Sequence, residues 1–471
     1  MRSFSTFRTD LGGADIARAE AARLRSLATW AYLLVRPGME FVRQRSNFIL
    51  GWQAAARQGA AVSGGVSAGA VGRAGVPALG SWMILPELTS PATRTVLPSN
   101  DALYGASHVE LGLVGPVVLS VPANVDERYF SVAVMDAHMN NVLHLGPRWT
   151  GQGEVHAVVA PPGWAGTVPD GMSLTHSSTP SICLYNRMLV EAVEGDLDRV
   201  RRWQAGLRII ELARWGTPDP TPSKVEVDGF LHPHLNTLTD PVEYLAIGLE
   251  HLRRNPLVPA AGWLSDLVLS AGFLDAAANP DLRQAIAAGV GDATAMLDAA
   301  LTTWPRVRGW MVPDPRLGLP NPQVLRAAAF QQFQIGSNDI SESAYYFTDT
   351  EAGGAVLDGG AGRRYRLTFP AGQVPPLHPG GYWSLTMYNA DSLLVANPIQ
   401  RHAIRPTSPG LEFQADGGVS IELAHELPGD AAPANWLPAP DGPFRLGLRA
   451  YYPRAEIADG SWMPPAVERV S

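Results

Sequence analysis

The sequence predicts an α+β chain, mainly β with a helical middle. Three observations carry this: apolar alternation with period two over residues 94–190, a period of 3.6 over residues 196–302, and a return to period two from about residue 344. The order helix, β, helix, β is not the regular βαβ alternation of a parallel sheet, and short strands between turn-forming clusters suggest antiparallel sandwiches. A chain of 471 residues favours two or three folding units and can bury a large core without covalent staples. Its 47 Gly and 40 Pro imply many turns, as a β-rich architecture requires.

Residues 14–56 predict a helix, with Leu24, Leu27, Ala28, Tyr32 and Leu33 at helical spacing and Pro37 interrupting it. The Gly/Ala-rich stretch 59–80 reads as a loop. Val117, Leu119 and Val121 alternate as a strand, Tyr129–Val142 reads as one long strand, and Val155–Val159 as another, closed by Pro161-Pro162-Gly163. Leu197, Val200, Gln204, Leu207 and Ile210 mark one helix. Asp240-Pro241-Val242-Glu243 is a capped helix start, followed by the stripe Leu245, Leu249 and Leu252. Asn279-Pro280 opens another, with Leu282, Ile286, Val290, Ala293 and Leu297 as its buried face. Arg364–Phe369, Tyr382–Tyr388, Val419–Leu423 and Phe444–Tyr452 then alternate as strands. The expected organisation is a helical segment and loop (1–90), a β domain (91–195), a helical insert (196–340) and a second β domain (341–471).

Composition narrows the function. With net charge −8 and no basic run, the chain lacks the Lys/Arg surplus that nucleic-acid binding needs. The single cysteine, Cys183, rules out an intrachain disulfide and a Cys-based zinc site, and its run Ile182–Tyr185 marks it as a buried small hydrophobe. The first ten residues lack the basic-then-apolar pattern of a signal peptide, and the apolar stretch Leu27–Val35 is too short to span a bilayer. The expectation is a soluble, cytoplasmic protein without a membrane span, with export by another route left open.

Candidate chemistry comes from strand faces. Along Tyr129–Val142 one face reads Phe130, Val132, Val134, Asp136, His138, Asn140, apolar and then polar, as an inner face opening into a cleft would be. Asp136 and His138 lie about 7 Å apart on such a strand, where a carboxylate can orient an imidazole for acid–base work; the competing reading is a hydrogen-bonded structural trio under a loop. In the C-terminal strands Arg364, Arg366 and Thr368 share one face, Ser384, Thr386 and Tyr388 another, and Arg445, Arg449 and Tyr451 a third. If adjoining, they make a surface suited to carboxylates, phosphates or sugar hydroxyls, against the alternative of a solvated sheet face. Gly65-Val66-Ser67-Ala68-Gly69 matches G-x-S-x-G but lacks the strand and helix a nucleophile elbow needs. His232-Pro233-His234 with Asp228 reads as a surface turn rather than a metal site.

Specific strings point further. Trp383-Ser384-Leu385-Thr386-Met387-Tyr388, Ala396-Asn397-Pro398 with Arg401, Asn435-Trp436-Leu437-Pro438-Ala439-Pro440, Leu448-Arg449-Ala450-Tyr451-Tyr452-Pro453 and Trp462-Met463-Pro464-Pro465 follow one another in the C-terminal half. Upstream stand Ser99-Asn100-Asp101-Ala102-Leu103-Tyr104, Val118–Pro122, Tyr129, Asp136, Asn140, Gly146, Arg148, Gly163-Trp164 and Arg187. In this order they resemble the bacterial family built from the domains of unknown function 1254 and 1214, over roughly residues 90–215 and 340–471. The resemblance implies two jelly-roll-like β domains with helices between them, and no settled reaction. Ala102, His138, Pro147 and His402 depart from the family strings, three of them in the N-terminal motifs.

Together these observations lead to the expectation of an enzyme, hydrolytic in type and without metal or nucleotide cofactor, acting on a polar sugar-like or oxygenated small molecule. Asp136, His138 and Asp101 are the catalytic candidates. Asn100, Tyr104, Asn140, Arg148, Arg187, Tyr388, Arg401 and Arg449 are the binding candidates. The alternatives are a non-catalytic carbohydrate-binding or assembly protein, including a homo-oligomer, and a lyase or cyclase with an apolar pocket.

Overall fold

The computed structural model describes residues 12–58, 77–257 and 262–470. The G-x-S-x-G string at 65–69 lies outside the described residues. The chain divides into two compact units. One comprises residues 1–43, 232–303 and 322–332; the other comprises 44–231, 304–321 and 333–471.

The first unit is helical. The helix Gly13–Gln58 begins in it, matches the span predicted over 14–56, and runs through Pro37 without the expected interruption. A proline inside a helix removes one N–H and crowds one carbonyl, a local cost that the buried faces of Leu24, Ala28, Ala31, Leu34 and Val35 outweigh. Helix Pro241–Arg254 starts as predicted, with the Asp240 carboxylate accepting from Val242 N at 2.9 Å and burying Leu245, Leu249 and Leu252. Helix Pro280–Thr302 is capped by Asn279 and buries Ile286, Val290, Ala293 and Leu297. By length and hydropathy alone it could cross a bilayer. Here its small Gly289 lies against Arg25 O and Ala28, and Thr29 Oγ1 donates to Gly289 O at 3.0 Å.

The second unit holds both β halves. The N-terminal half contains β1 (Met83–Ile84), β2 (Ala102–Glu110), β3 (Val117–Val121), β4 (Phe130–Asp136), β5 (Asn141–Leu145), β6 (Val155–Ala160), β7 (Ser173–His176), β8 (Ser181–Leu189) and β9 (Arg208–Glu211). One sheet has the order β1-β2-β8-β4-β5 and the other β7-β6-β3-β9. Val117, Leu119, Val121, Phe130, Val132, Val134, Ile182 and Leu184 share one core, the alternation that the sequence announces. Helix Asp196–Gln204 precedes β9. The predicted helix through Ile210 therefore ends early: Ala205-Gly206 stops it, Leu207 still packs in the core, and Ile210 pairs with Val118 in the sheet.

After the hairpin β10 (Arg306–Val307) and β11 (Trp310–Met311) comes the C-terminal half. It contains β12 (Ser343–Thr348), β13 (Arg364–Phe369), β14 (Trp383–Asn389), β15 (Ala403–Ile404), β16 (Val419–Ala424), β17 (Trp436–Pro438), β18 (Phe444–Tyr451) and β19 (Val467–Arg469). Its sheets run β12-β18-β14-β15 and β17-β16-β13-β19, with Trp383, Leu385, Met387, Leu446 and Leu448 of one packed against Tyr365, Leu367, Phe369 and Ile421 of the other. Pairing is mostly antiparallel, but β6 with β7 and β16 with β17 are parallel, so the sheets are mixed. The fold is α+β, and among the described residues no sheet closes into a barrel.

The strand read as Tyr129–Val142 is a hairpin. β4 stops at Asp136, the chain reverses through Met139 at φ 64°, and β5 begins at Asn141. Alternation therefore does not continue past Asp136, and His138 and Asn140 lie in the turn. The three Arg/Tyr faces also part company. Arg364 and Arg366 are ion-paired to Glu422 on the sheet holding β13, whereas Ser384, Thr386, Tyr388, Arg449 and Tyr451 belong to the sheet holding β14 and β18.

Candidate functional site: a cavity between two sheets

Both faces of β14 and β18 are buried, although a sheet on the outside of a domain normally keeps one face wet. Their outward face is covered by the N-terminal half of the same unit. Tyr388 Oη donates to Pro98 O at 2.7 Å, Arg449 Nη2 to Leu97 O at 2.6 Å, and Tyr452 Oη to Phe130 O at 3.3 Å. Ser384 Oγ donates to the Asp101 carboxylate. Arg187 Nη1 donates back to Asn338 Oδ1 at 2.9 Å.

Within this junction lies a cavity of about 260 Å³. One wall is the sheet of β2 and β8, through Tyr104, Ala106, His108, Tyr185 and Arg187; the facing wall is β12 and β18, through Tyr345, Phe347, Arg449 and Tyr451. The segment Thr89–Pro98 and the turn Gln334–Ser337 border it, and Phe48, Met83 and Leu85 add apolar surface.

Two guanidiniums dominate its electrostatics. Arg187 is 6% exposed and Arg449 4%. Arg187 donates to Asn338 Oδ1 and to Gly336 O, and Arg449 to Leu97 O and to Thr386 Oγ1 at 3.2 Å. All four acceptors are neutral. Among the described residues no Asp or Glu lines the cavity, and neither guanidinium has a carboxylate at ion-pair distance. Asp101, close enough to act on Tyr451, is engaged by Ser384 and faces Arg405 at 3.7 Å. Burial pushes the Tyr345 phenol up, and the two arginines, Arg187 foremost, pull it back, so both charges reach one hydroxyl. His108 is held down to about 3 by burial and then by Arg45, so its imidazole is neutral at neutral pH.

Backbone geometry supports these positions. Gly336 sits at φ 65° with its carbonyl accepting from Arg187; a Cβ there would meet the Tyr185 ring at 3.2 Å. Leu97 adopts φ 48°, unusual for a side chain of its size, and is held from both sides: its N–H donates to Ser392 O and its carbonyl accepts from Arg449.

Of the catalytic and binding candidates, Tyr104, Arg187 and Arg449 line the cavity, joined by Tyr451 of the third strand face. The remaining candidates lie elsewhere. Asp136 is the brace of the β4–β5 hairpin: Oδ1 accepts from His138 N at 2.8 Å and Asn140 N at 3.0 Å, and Oδ2 from Asn140 Nδ2 and Ser178 Oγ. His138 and Asn140 thus meet it chiefly through backbone and amide, as a structural trio does. Asp101 and Tyr388 join the two halves, and Asn100 Nδ2 donates to Thr89 O. Arg401 holds Pro433 O and Trp436 O inside the C-terminal half. Arg148 donates to Ser341 O and borders a separate depression with Arg128, His378 and Tyr452. Cys183 is buried and its thiol is pushed up by that burial. Among the described residues no group of three or more His, Cys, Asp or Glu is placed to hold a metal ion.

Sequence reasoning missed Tyr345, Tyr185 and His108 as wall residues. For Tyr345 the sequence signal was the unbroken apolar run Ala344-Tyr345-Tyr346-Phe347, which fits a strand buried on both faces, as β12 is; Tyr185 and His108 lie on other strands that this signal does not reach.

Comparison with known proteins agrees with this architecture. A family model described as "Protein of unknown function (DUF1254)" matches residues 80–211, and one described as DUF1214 matches residues 342–455. The crystal structure of the VPA0106 protein from Vibrio parahaemolyticus superposes with a TM-score of 0.65 at 18% identity, covering 95% of this chain and 100% of that one. That likeness is one of fold. An uncharacterized protein from Burkholderia cenocepacia covers 95% of this chain and 98% of its own, at 14% identity and a TM-score of 0.42. No curated protein matches.

Proposed function

Because this chain belongs to the family built from the domains of unknown function 1254 and 1214, which carries no assigned reaction, we propose its function from the cavity: it binds an oxygenated small molecule between its two β halves. The carrying observation is the cavity of about 260 Å³ walled by the rings of Tyr104, Tyr185, Tyr345 and Tyr451 and by two buried guanidiniums. That volume is near the lower end of ligand pockets, and a mostly apolar wall with a few convergent polar groups is their usual make-up. Tyr104, Arg187 and Arg449 are the proposed recognition residues. Two sheets around one core in each half support reading both halves as sandwiches of the jelly-roll kind, an architecture common in sugar recognition.

Acid–base hydrolysis of a glycoside needs two carboxyl groups facing the substrate. The described wall offers none, and Asp101 and Asp136 are spent on structural bonds, so binding is the better supported of the readings. The test is a thermal-shift screen of the full chain against neutral sugars, hydroxy acids and phenolic acids, run beside Ala106→Trp, which fills the cavity from β2. A ligand that raises Tm in the wild type and loses its effect in Ala106→Trp is the expected result. Ligand responses that persist in Ala106→Trp would place binding elsewhere and refute the proposal.

A further inference from the structure

We infer that the cavity takes an organic anion: a carboxylate seated against Arg187 and Arg449, with its apolar body toward Phe48, Met83, Leu85 and Val96. This rests on the reading of the cavity as a ligand site and narrows the ligand class. A guanidinium stays charged at any pH the protein meets, and a buried charge is normally paired, because removing it from water costs several kcal/mol. Both cavity arginines are more than nine-tenths buried, yet their acceptors are two backbone carbonyls, one amide and one hydroxyl, all neutral. His108 adds no charge, being held neutral, and among the described residues no acid lines the wall.

The described wall therefore carries two positive charges and no negative one. A neutral sugar would leave both uncompensated. Each guanidinium has five N–H donors in a planar fork, so after its described bonds it keeps donors for a planar acceptor such as a carboxylate. Both line the same cavity, and each lies over a tyrosine ring: Arg187 5.8 Å from the centroid of Tyr104, Arg449 5.8 Å from that of Tyr388. Phosphate fits less well, since a more strongly hydrated dianion with more oxygens to satisfy would face the apolar side chains opposite.

The experiment measures binding to the full chain by calorimetry, using benzoate, phenylacetate and hexanoate, each against its own neutral amide, with inorganic phosphate as a further arm, at constant ionic strength. At least one acid should bind tenfold or more tightly than its amide, and Ala106→Trp should abolish that binding. Arg449→Met, if folded by circular dichroism, should bring acid and amide within threefold of each other. Arg187→Lys, which keeps the charge and loses the fork, should weaken the acid by an intermediate factor. The wild-type acid–amide comparison needs no variant to fold. Acids and amides binding equally, both abolished by Ala106→Trp, would overturn the anion and leave the cavity as the site. Acid binding that survives Ala106→Trp would overturn both. Phosphate binding more tightly than every acid would overturn the carboxylate.

Discussion

His108 should set the acid limit of the β unit. Its side chain is 1% exposed on β2, its ring lies 5.1 Å from that of Phe48, and burial with Arg45 beside it holds its pKa at about 3, against 6.5 when exposed. Arg45 keeps its own charge through Glu110, at 2.6 Å, whose other oxygen accepts from Ser181. The sign follows from which state takes up the proton. Below pH 6.5 the unfolded chain protonates this imidazole and the folded one does not until about pH 3. Stability is therefore complete above 6.5 and falls as the pH drops through that window. At 1.36 kcal/mol per pH unit, a difference of about 3.5 units amounts to roughly 4–5 kcal/mol as an upper bound. His108→Gln removes the titration. Urea denaturation followed by circular dichroism from pH 8 to 4 should show the wild type losing about 1.4 kcal/mol per pH unit relative to His108→Gln below pH 6. Parallel stability curves over that range would refute the buried neutral imidazole and this explanation of acid sensitivity.

Two further perturbations separate structure from recognition. Asp136→Ala leaves the His138 and Asn140 N–H groups without their acceptor in a buried turn, so a loss of about 2–4 kcal/mol in urea unfolding is expected; a loss below about 0.5 kcal/mol would release Asp136 from its bracing role. Gly336→Ala forces a side chain into the left-handed region against the Tyr185 ring, with an expected cost of about 1–2 kcal/mol. Because the Gly336 carbonyl orients Arg187, the same substitution should weaken carboxylate binding; unchanged acid affinity would show that this carbonyl does not position the guanidinium.

Much of the fold was legible because local periodicity reports burial. Arg364–Phe369 occupies the very positions its alternation marked, and Asp240 and Asn279 cap their helices as their side chains dictate. Where the reading failed, a short-range feature was overridden or hidden. Pro37 did not interrupt its helix because packing outweighed one lost hydrogen bond. Asp136, His138 and Asn140 keep the spacing of a strand while forming a turn, since an Asp that accepts from backbone two and four residues on builds a reversal that period two cannot distinguish from a strand.

From sequence alone come the α+β class, the two β halves, the capped helices and the family, all set by residues within a turn or a strand of one another. The cavity belongs to tertiary structure. Tyr104 and Arg187 meet Arg449 only because two sheets far apart in the chain turn their second faces toward each other. The pattern within one strand says that a face is buried, but not which partner buries it or what charge that partner brings.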